Sequence, residues 1–295
     1  MTVASVSGLP FFKVCGAGND FVLIDARAVA PDFDPVVAAP VLCRRGLGIG
    51  ADGLLLVETS AVASLRLTYF NADGSRAFCG NGTLCVARWA HAIAGYPADL
   101  SLETDVGVVP ARVYGERVEI GVSPPQELRH GIDLARGGGT GDGTFVQIGC
   151  PHLVVIDRVL PDDAAFEMQA PLLRRHPALG EGGANVDFVQ VESRRRLHLR
   201  VFERGVEAET LASGTGCLAA ALAAAAHGLV DSAVTCVTRG GEALTVRFER
   251  DGEAFKDVRL DGGARLVYAG RLGPDLAPLR SRSTPRRILG SPAAE

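Results

Sequence analysis

The stretch ASGTG (residues 212–216) separates two segments of very different character. LHLRVF (197–202) precedes it and alternates as a strand does, whereas the alanine-rich CLAAALAAAA (217–226) that follows is typical of a helix. The turn therefore opens a helix. Its glycines let a ligand approach the backbone, and the free N–H groups of a helix start attract anions. The sequence predicts an anion site at this turn.

The turn belongs to a repeat, because five segments recur in the same order at a spacing of 132 to 134 residues. The pairs are FVLID (21–25) with LVVID (153–157), LLLVE (54–58) with DFVQVE (187–192), LRLTYF (65–70) with LHLRVF (197–202), CGNGTLC (79–85) with SGTGCLA (213–219), and ETDVGVVPARV (103–113) with VTRGGEALTV (237–246). The chain is therefore predicted to contain two copies of one unit.

Each copy holds several short alternating strands and one strong helix, predicted from Gly82 to about Ile93 and from Gly216 to about His227. This pattern indicates an α+β fold of two homologous lobes, each a mainly antiparallel sheet wrapped around a central helix. We expect an N-terminal lobe over 1–124 plus a returning strand at about 264–272, and a C-terminal lobe over 125–263.

Composition narrows the function classes. The net charge of −4 over 295 residues provides no basic surface for nucleic acid or an anionic membrane, so a small molecule is the expected partner. The sequence has no secretory signal and no apolar run of roughly 20 residues, which predicts a cytoplasmic protein. Seven cysteines without a CxxC pair argue against a disulfide framework or a zinc site. The proline- and arginine-containing tail (274–295) is predicted to be disordered.

Cys79 lies at the start of the first predicted helix, where the helix dipole is expected to lower the pKa of a thiol. It is a candidate base or nucleophile, although a lone cysteine beside a glycine turn is more often a small buried apolar residue. Two helix starts facing one cleft would let an α-proton leave one face of an amino acid and return to the other. No residue pattern suggests a metal, pyridoxal phosphate or another cofactor.

Five blocks of the sequence resemble the signature blocks of the diaminopimelate epimerase family. They are FFKVCGAGNDFVLID (11–25), RRGLGIGADG (44–53), FNADGSRAFCGNG (70–82), NVDFVQV (185–191) and ERGVEAETLASGTG (203–216). The resemblance implies a cofactor-independent epimerase that interconverts LL- and meso-diaminopimelate, works in the cytoplasm and forms a homodimer.

The resemblance also implies a set of site residues. Cys79 would be one catalytic thiol, and Ser213 occupies the position of the other. Gly80 and Asn81, opposite Gly214 and Thr215, would bind the reacting α-carboxylate. Asn19 would contact the substrate near the reacting centre. Asn71, Asn185 and Arg204 would hold the distal end, while Glu203 and His152 tune the acid–base pair. The ordinary alternatives are a simple turn at 71–74 and a solvated ion pair at 203–204.

Three positions depart from the family pattern. Ser213 replaces a cysteine, Cys150 replaces the asparagine of the usual NPH motif, and Leu84 stands where arginine is common. Cys217 is expected to lie one helical turn deeper than Ser213 and to be unable to replace it. The pKa of a serine hydroxyl lies far above that of a thiol, and each unit of this difference costs about 1.36 kcal/mol in the proton equilibrium. A helix start stabilises an anion by only about 0.3–2 kcal/mol, so Ser213 is expected to be a poor base.

Three hypotheses follow from this pattern. The first is a diaminopimelate epimerase with Cys79 as the competent base and Ser213, native or introduced, as a weak partner. The second keeps the fold but acts on a different amino acid, as a racemase or as a one-base lyase, because a replacement at 213 alone does not explain Cys150. The third is an inactive relative that binds an amino acid between its lobes.

Overall fold

The computed structural model describes residues 7–31, 33–274 and 276, so the predicted disorder of the tail (274–295) falls almost entirely outside the described residues. The first half of the chain contains eight strands and two helices within the described part. These are β1 (Pro10–Gly16), β2 (Asn19–Asp25), α1 (Pro35–Leu42), β3 (Gly53–Glu58), β4 (Leu65–Asn71), β5 (Arg76–Ala77), α2 (Gly80–Ala92), β6 (Asp99–Thr104), β7 (Gly107–Tyr114) and β8 (Arg117–Gly121).

The second half repeats this order after one additional strand. Its elements are β9 (Glu127–Asp133), β10 (Asp142–Ile148), β11 (Cys150–Asp157), α3 (Asp163–Leu173), β12 (Asn185–Ser193), β13 (Arg196–Glu203), β14 (Ala208–Thr210), α4 (Gly214–Ala226), β15 (Val234–Val237), β16 (Ala243–Asp251) and β17 (Ala254–Arg271). Three short 3-10 turns also occur, at Ala26–Ala28, Leu134–Gly137 and Pro177–Leu179.

The strand pairings are duplicated as well. In the first half β2 runs parallel to β3, β3 antiparallel to β4, and β4 parallel to β6; in the second half β11, β12, β13 and β15 repeat this pattern. Antiparallel β6–β7 and β15–β16 pairs complete the repeated set of strands in each half, and pairings between the halves join the two sets into one 17-stranded sheet. The predicted α+β class, with mainly antiparallel strands around a helix in each half, is confirmed.

One strand, β17, crosses between the halves. The start of β17 pairs with β16, its residues 259–263 pair with β8, and its end pairs with β1 over 264–271. β9, the additional strand at the start of the second half, follows β8 in the chain and pairs with β10. The lobe limits predicted from the sequence remain a prediction, and these crossing pairings are the contacts on which they depend.

Helices α2 and α4 form the cores of the two units. α4 packs against β10, β11, β12 and β16, and its residues from Gly216 to Ala225 are all buried. Both helices begin two residues before the predicted starts, because Cys79 and Ser213 are the N-caps and the following glycine pair is already helical. No helix in the described part of the chain is long and apolar enough to cross a membrane.

Candidate active site

The start of α2 is held by a chain of side-chain hydrogen bonds. The Cys79 sulfur accepts the Gly82 N–H at 3.3 Å, which caps the helix. Asn81 donates from Nδ2 to Oδ1 of Asn19 at 2.7 Å, and Asn19 donates from its own Nδ2 to Asp52 at 3.0 Å. Because Asp52 can only accept when ionised, this order fixes the orientation of both amides. The Asn81 carbonyl oxygen is therefore directed away from Asn19.

Behind Asn19 lies a network of ion pairs. Arg45 bridges Asp52 and Asp20 at 2.8 and 2.6 Å, and Lys13 contacts Asp20 at 2.6 Å. These residues come from β1, β2 and the segment between α1 and β3. The network anchors Asp52 and, through it, the amide of Asn19.

The two helix starts lie against one another. Oδ1 of Asn81 is buried without a hydrogen-bond partner among the described residues, and a Cβ placed on Gly214 would lie 2.8 Å from it. The Leu260 side chain lies between the two starts, since a Cβ on Gly80 or Gly214 would be 3.4 or 3.1 Å from its Cδ2 atom. The predicted convergence of the two glycine turns is thus present.

At the start of α4, Ser213 is buried and its hydroxyl accepts the Gly216 N–H at 3.2 Å. The Glu203 carboxyl lies near the Ser213 hydroxyl, whereas the buried Thr210 hydroxyl forms no hydrogen bond with the described residues. Burial raises the pKa of Glu203 and outweighs the lowering effect of these hydroxyls. Cys217 is fully buried one turn further along α4, as expected from its position.

A second thiol lies beside the same helix start. The Cys150 sulfur is 3.2 Å from Nε2 of His152, and Nδ1 of His152 is 2.7 Å from the Asp187 carboxylate. The same sulfur is 3.4 Å from the Asn185 amide nitrogen and 3.5 Å from the Thr215 hydroxyl. Cys150 and His152 share one face of β11 and Asn185 and Asp187 the same face of neighbouring β12, because side chains two residues apart point to the same side of a strand.

The two thiols have opposite electrostatic environments. Burial raises the pKa of Cys79 to about 12, despite the Gly82 N–H that favours the thiolate. The predicted lowering of this pKa is therefore wrong, because the loss of hydration exceeds the stabilisation from one helix start. Burial also opposes ionisation of Cys150, but the charge and hydrogen bond of His152 and the Thr215 hydroxyl lower its pKa overall. Asp187 overcomes the burial of His152 and raises the pKa of its imidazole.

Of the three residues expected to hold the distal end of the substrate, two are joined by a hydrogen bond and the third bonds within its own turn. Asn185 is buried, and its Oδ1 accepts the Arg204 backbone N–H at 2.8 Å. Arg204 is exposed, and no ion pair of its guanidinium occurs among the described residues. Asn71 donates instead to the Ser75 hydroxyl at 2.9 Å across its own turn, the ordinary alternative for this segment. No hydrogen bond within the described residues joins Asn71 to the rest of the site.

Asp187 is the site residue that the sequence reasoning missed. An aspartate in an otherwise apolar strand, NVDFV (185–189), is unusual, and it is buried completely beside His152. The cysteine and histidine two residues apart at the start of β11 were a second signal. Leu84, the third departure, is fully buried in the core of the first unit. No group of three or more His, Cys, Asp or Glu residues suited to a metal ion occurs in the described part.

The sequence is similar to proteins of one family over most of its length. The family profile named Diaminopimelate epimerase matches residues 11–125 and 144–266. The diaminopimelate epimerase of Methanothrix thermoacetophila is 39% identical over 290 residues, covering 91% of this chain and 97% of that protein. The diaminopimelate epimerase of Chlorobaculum tepidum is 37% identical over 262 residues, covering 87% and 98%.

Solved structures show the same architecture at low sequence identity. A PhzF-family phenazine biosynthesis protein from Bacillus anthracis superposes with a TM-score of 0.70 at 16% identity, covering 90% of this chain and 98% of that one. A hydroxyproline epimerase from Agrobacterium vitis has a TM-score of 0.64 at 13% identity and covers 92% of each chain. At these identities the likeness concerns the fold alone.

Proposed function

The chain belongs to the diaminopimelate epimerase family, and from this premise we propose that it interconverts LL- and meso-diaminopimelate without a cofactor. The observation that carries the proposal is the contact between two glycine-containing helix starts, one from each half, with an acid–base thiol at the first. Family relatives match both halves, including both of these turns.

The helix starts would hold the reacting end of the substrate. Backbone N–H groups around Gly80 and Asn81 on one side, and around Gly214 and Thr215 on the other, would bind the α-carboxylate. Removal of the α-proton places negative charge on the α-carbon and carboxylate, and fixed N–H dipoles stabilise that charge without reorganisation. Asn19 would position Asn81 at the reacting centre.

Proton transfer would use the Cys79 thiol on the first side. Its raised pKa keeps Cys79 protonated at neutral pH, so in the resting enzyme it is the proton donor and not the base. Ser213 on the second side caps α4 and contacts Glu203, and a hydroxyl is a poor acceptor for an α-proton. An efficient epimerase therefore needs a further basic group on this side.

Arg204 and Asn185 would bind the distal amino-acid end. The exposed guanidinium of Arg204 can clamp a carboxylate with two parallel hydrogen bonds, and its backbone is fixed by Asn185. Asn71 would join them only by giving up its hydrogen bond to the Ser75 hydroxyl and donating to the substrate instead. We include in this proposal a role in the supply of lysine and peptidoglycan precursors, a cytoplasmic location and a homodimer, for which the family resemblance is the support.

The proposal is tested by incubating the protein with LL- or meso-diaminopimelate in deuterated water and following the α-proton by NMR. We expect loss of the α-proton signal and formation of the other stereoisomer. The same incubation without protein is the control for buffer-catalysed exchange. Absence of exchange with both stereoisomers would remove the assignment.

A second candidate is a racemase of the same fold that acts on a different amino acid. The observation in its favour is Cys150, because a thiol bonded to His152 replaces the amide that the family pattern places there. A thermal-shift screen separates the two candidates. Stabilisation by meso-diaminopimelate but not by monocarboxylic amino acids favours the epimerase, and the reverse result favours the racemase.

A further inference from the structure

We infer that Cys150 is the second proton-transfer residue of this site, acting as a thiolate in place of the cysteine that the family carries at position 213. The inference rests on the proposed function, since it concerns the same reaction. Cys150, His152 and Asp187 would form one proton-transfer unit beside α4, opposite Cys79 on α2.

Three polar groups converge on the Cys150 sulfur. They are Nε2 of His152 at 3.2 Å, the Asn185 amide at 3.4 Å and the Thr215 hydroxyl at 3.5 Å, and the last can donate to the sulfur or accept from it. The Asn185 carbonyl already accepts the Arg204 N–H, so its NH₂ group must face the sulfur. When His152 is doubly protonated, its Nε2–H and the Asn185 amide both donate to the sulfur, and charge-assisted hydrogen bonds of this kind stabilise a thiolate.

His152 and Asp187 provide the positive partner. Both side chains are fully buried, and the short bond from Nδ1 to the carboxylate holds the imidazole with Nε2 toward the sulfur. A Cβ placed on Gly216 would lie 2.8 Å from Oδ1 of Asp187, so the carboxylate lies against the first turn of α4. This oxygen accepts no hydrogen bond from the described residues, so α4 contributes only through its dipole. An ionised Asp187 in turn favours imidazolium, which favours the thiolate.

The position of Cys150 is appropriate for transfer to an α-carbon. Its sulfur is next to Thr215, one of the residues proposed to bind the α-carboxylate, and the residue retains exposed surface. The neighbouring Gly149 lies close to Phe78, since a Cβ there would be 3.5 Å from the ring atom Cδ1. The residues that precede the two thiols are therefore in contact, one from each half of the chain.

In the proposed step, the Cys150 thiolate accepts the α-proton and an S–H bond forms. The electron pair of the broken C–H bond moves to the α-carbon and its carboxylate. The Cys79 thiol then donates its proton to the opposite face and becomes the thiolate. The reverse turnover, or exchange with solvent, returns both sulfurs to their starting states. His152 donates a hydrogen bond to Cys150 throughout and neither gains nor loses a proton.

The test compares Cys150→Ala with Cys150→Ala/Ser213→Cys in the full-length protein. If Cys150 is the base, the single variant loses kcat for epimerisation by about 100-fold or more, with KM little changed, because general-base catalysis contributes about 10²–10⁴-fold. The double variant should recover activity, since it restores a thiol at the family position. Cys236→Ala, which removes a buried thiol of β15 in the same half, is the matched control.

Two outcomes would overturn the inference. One is a Cys150→Ala enzyme that keeps its kcat or changes only in KM, which would indicate a substrate-binding role at the distal end. The other is loss of activity that Ser213→Cys does not restore. If Cys150→Ala fails to fold, Cys150→Ser supplies the same comparison with the side-chain shape retained. Inactivity of the unmodified protein toward both stereoisomers would instead end the proposed function, so the two failures are distinct.

Discussion

The starts of α2 and α4 share a backbone but differ in chemistry. Each begins with an N-cap side chain that accepts the N–H three residues later, and each continues with two glycines separated by one polar residue. At α2 the cap is a thiol supported by amides and an ion-pair network. At α4 the cap is a hydroxyl, and the thiol lies on the adjacent strand with its own histidine and aspartate.

The difference indicates that the duplicated frame fixes where a ligand would bind but not which residue moves the proton. Helix N–H groups require only the backbone, so they persist in both halves. A titrating side chain can come from any element that reaches the same space. Cys150 reaches the α4 start from β11, which would free position 213 to be a simple cap.

The largest expected effect comes from replacing the thiol N-cap of α2 with a hydroxyl, so that both helices have the same cap chemistry. Cys79→Ser should reduce kcat for epimerisation by about 10²–10⁴-fold, because the proton donor is lost while the cap is retained. Thermal unfolding should change little. Steady-state kinetics in both directions, with Cys236→Ala as the control, measure the effect. A variant with nearly unchanged kcat would show that Cys79 is only a cap.

The second effect concerns the reactivities of the two thiols. At pH 7.5 iodoacetamide should modify Cys150 at least about tenfold faster than Cys79, because the reacting species is the thiolate. Peptide mass spectrometry at timed intervals measures both rates in one sample. His152→Gln should remove most of the difference. Preferential labelling of Cys79 would contradict the electrostatic contrast described above.

A third, smaller effect distinguishes the two glycines that begin the helices. Gly214→Ala places a methyl group 2.8 Å from Asn81 Oδ1, whereas Gly80→Ala places one at an ordinary 3.4 Å from Leu260. Displacing Asn81 should raise KM by roughly tenfold in the first variant, and the cost of overpacking is about 1–3 kcal/mol. The second variant should behave almost as the parent. Equal KM values for both variants would mean that Asn81 moves without consequence.

The smallest effect is on stability and depends on pH. Burial raises the pKa of Glu203 above 4.5, so its contribution to stability is complete below that value and is lost as pH rises through the folded pKa. Glu203→Gln removes this titration. The melting temperature of the variant minus that of the parent should therefore increase by a few degrees at most as the pH rises from 5 to 8. A constant difference across this range would argue against a buried, titrating carboxyl.

The fold could be predicted because repetition supplies an internal comparison. Each described strand except β9 has a counterpart in the other half, and the observed helices begin only two residues before the predicted starts. The starts differ because Gly80 and Gly214 are already helical, although glycine is a poor helix former.

The site was predictable only in part. Motif position located Cys79, Asn81 and Thr215, but the protonation state of Cys79 depends on how much protein surrounds its sulfur, which no local pattern reveals. Asp187 lies 35 positions after His152 in the sequence and contacts it because β11 and β12 are paired in parallel. Such pairs require knowledge of which strands are neighbours and in which register.

The crossing of β17 from the second half to the first has a consequence for how the molecule unfolds. This strand pairs with β16 of its own half and with β8 and β1 of the other. The halves therefore cannot separate without breaking a row of backbone hydrogen bonds and exposing a sheet edge. We expect the two repeated units to melt together in a single cooperative transition.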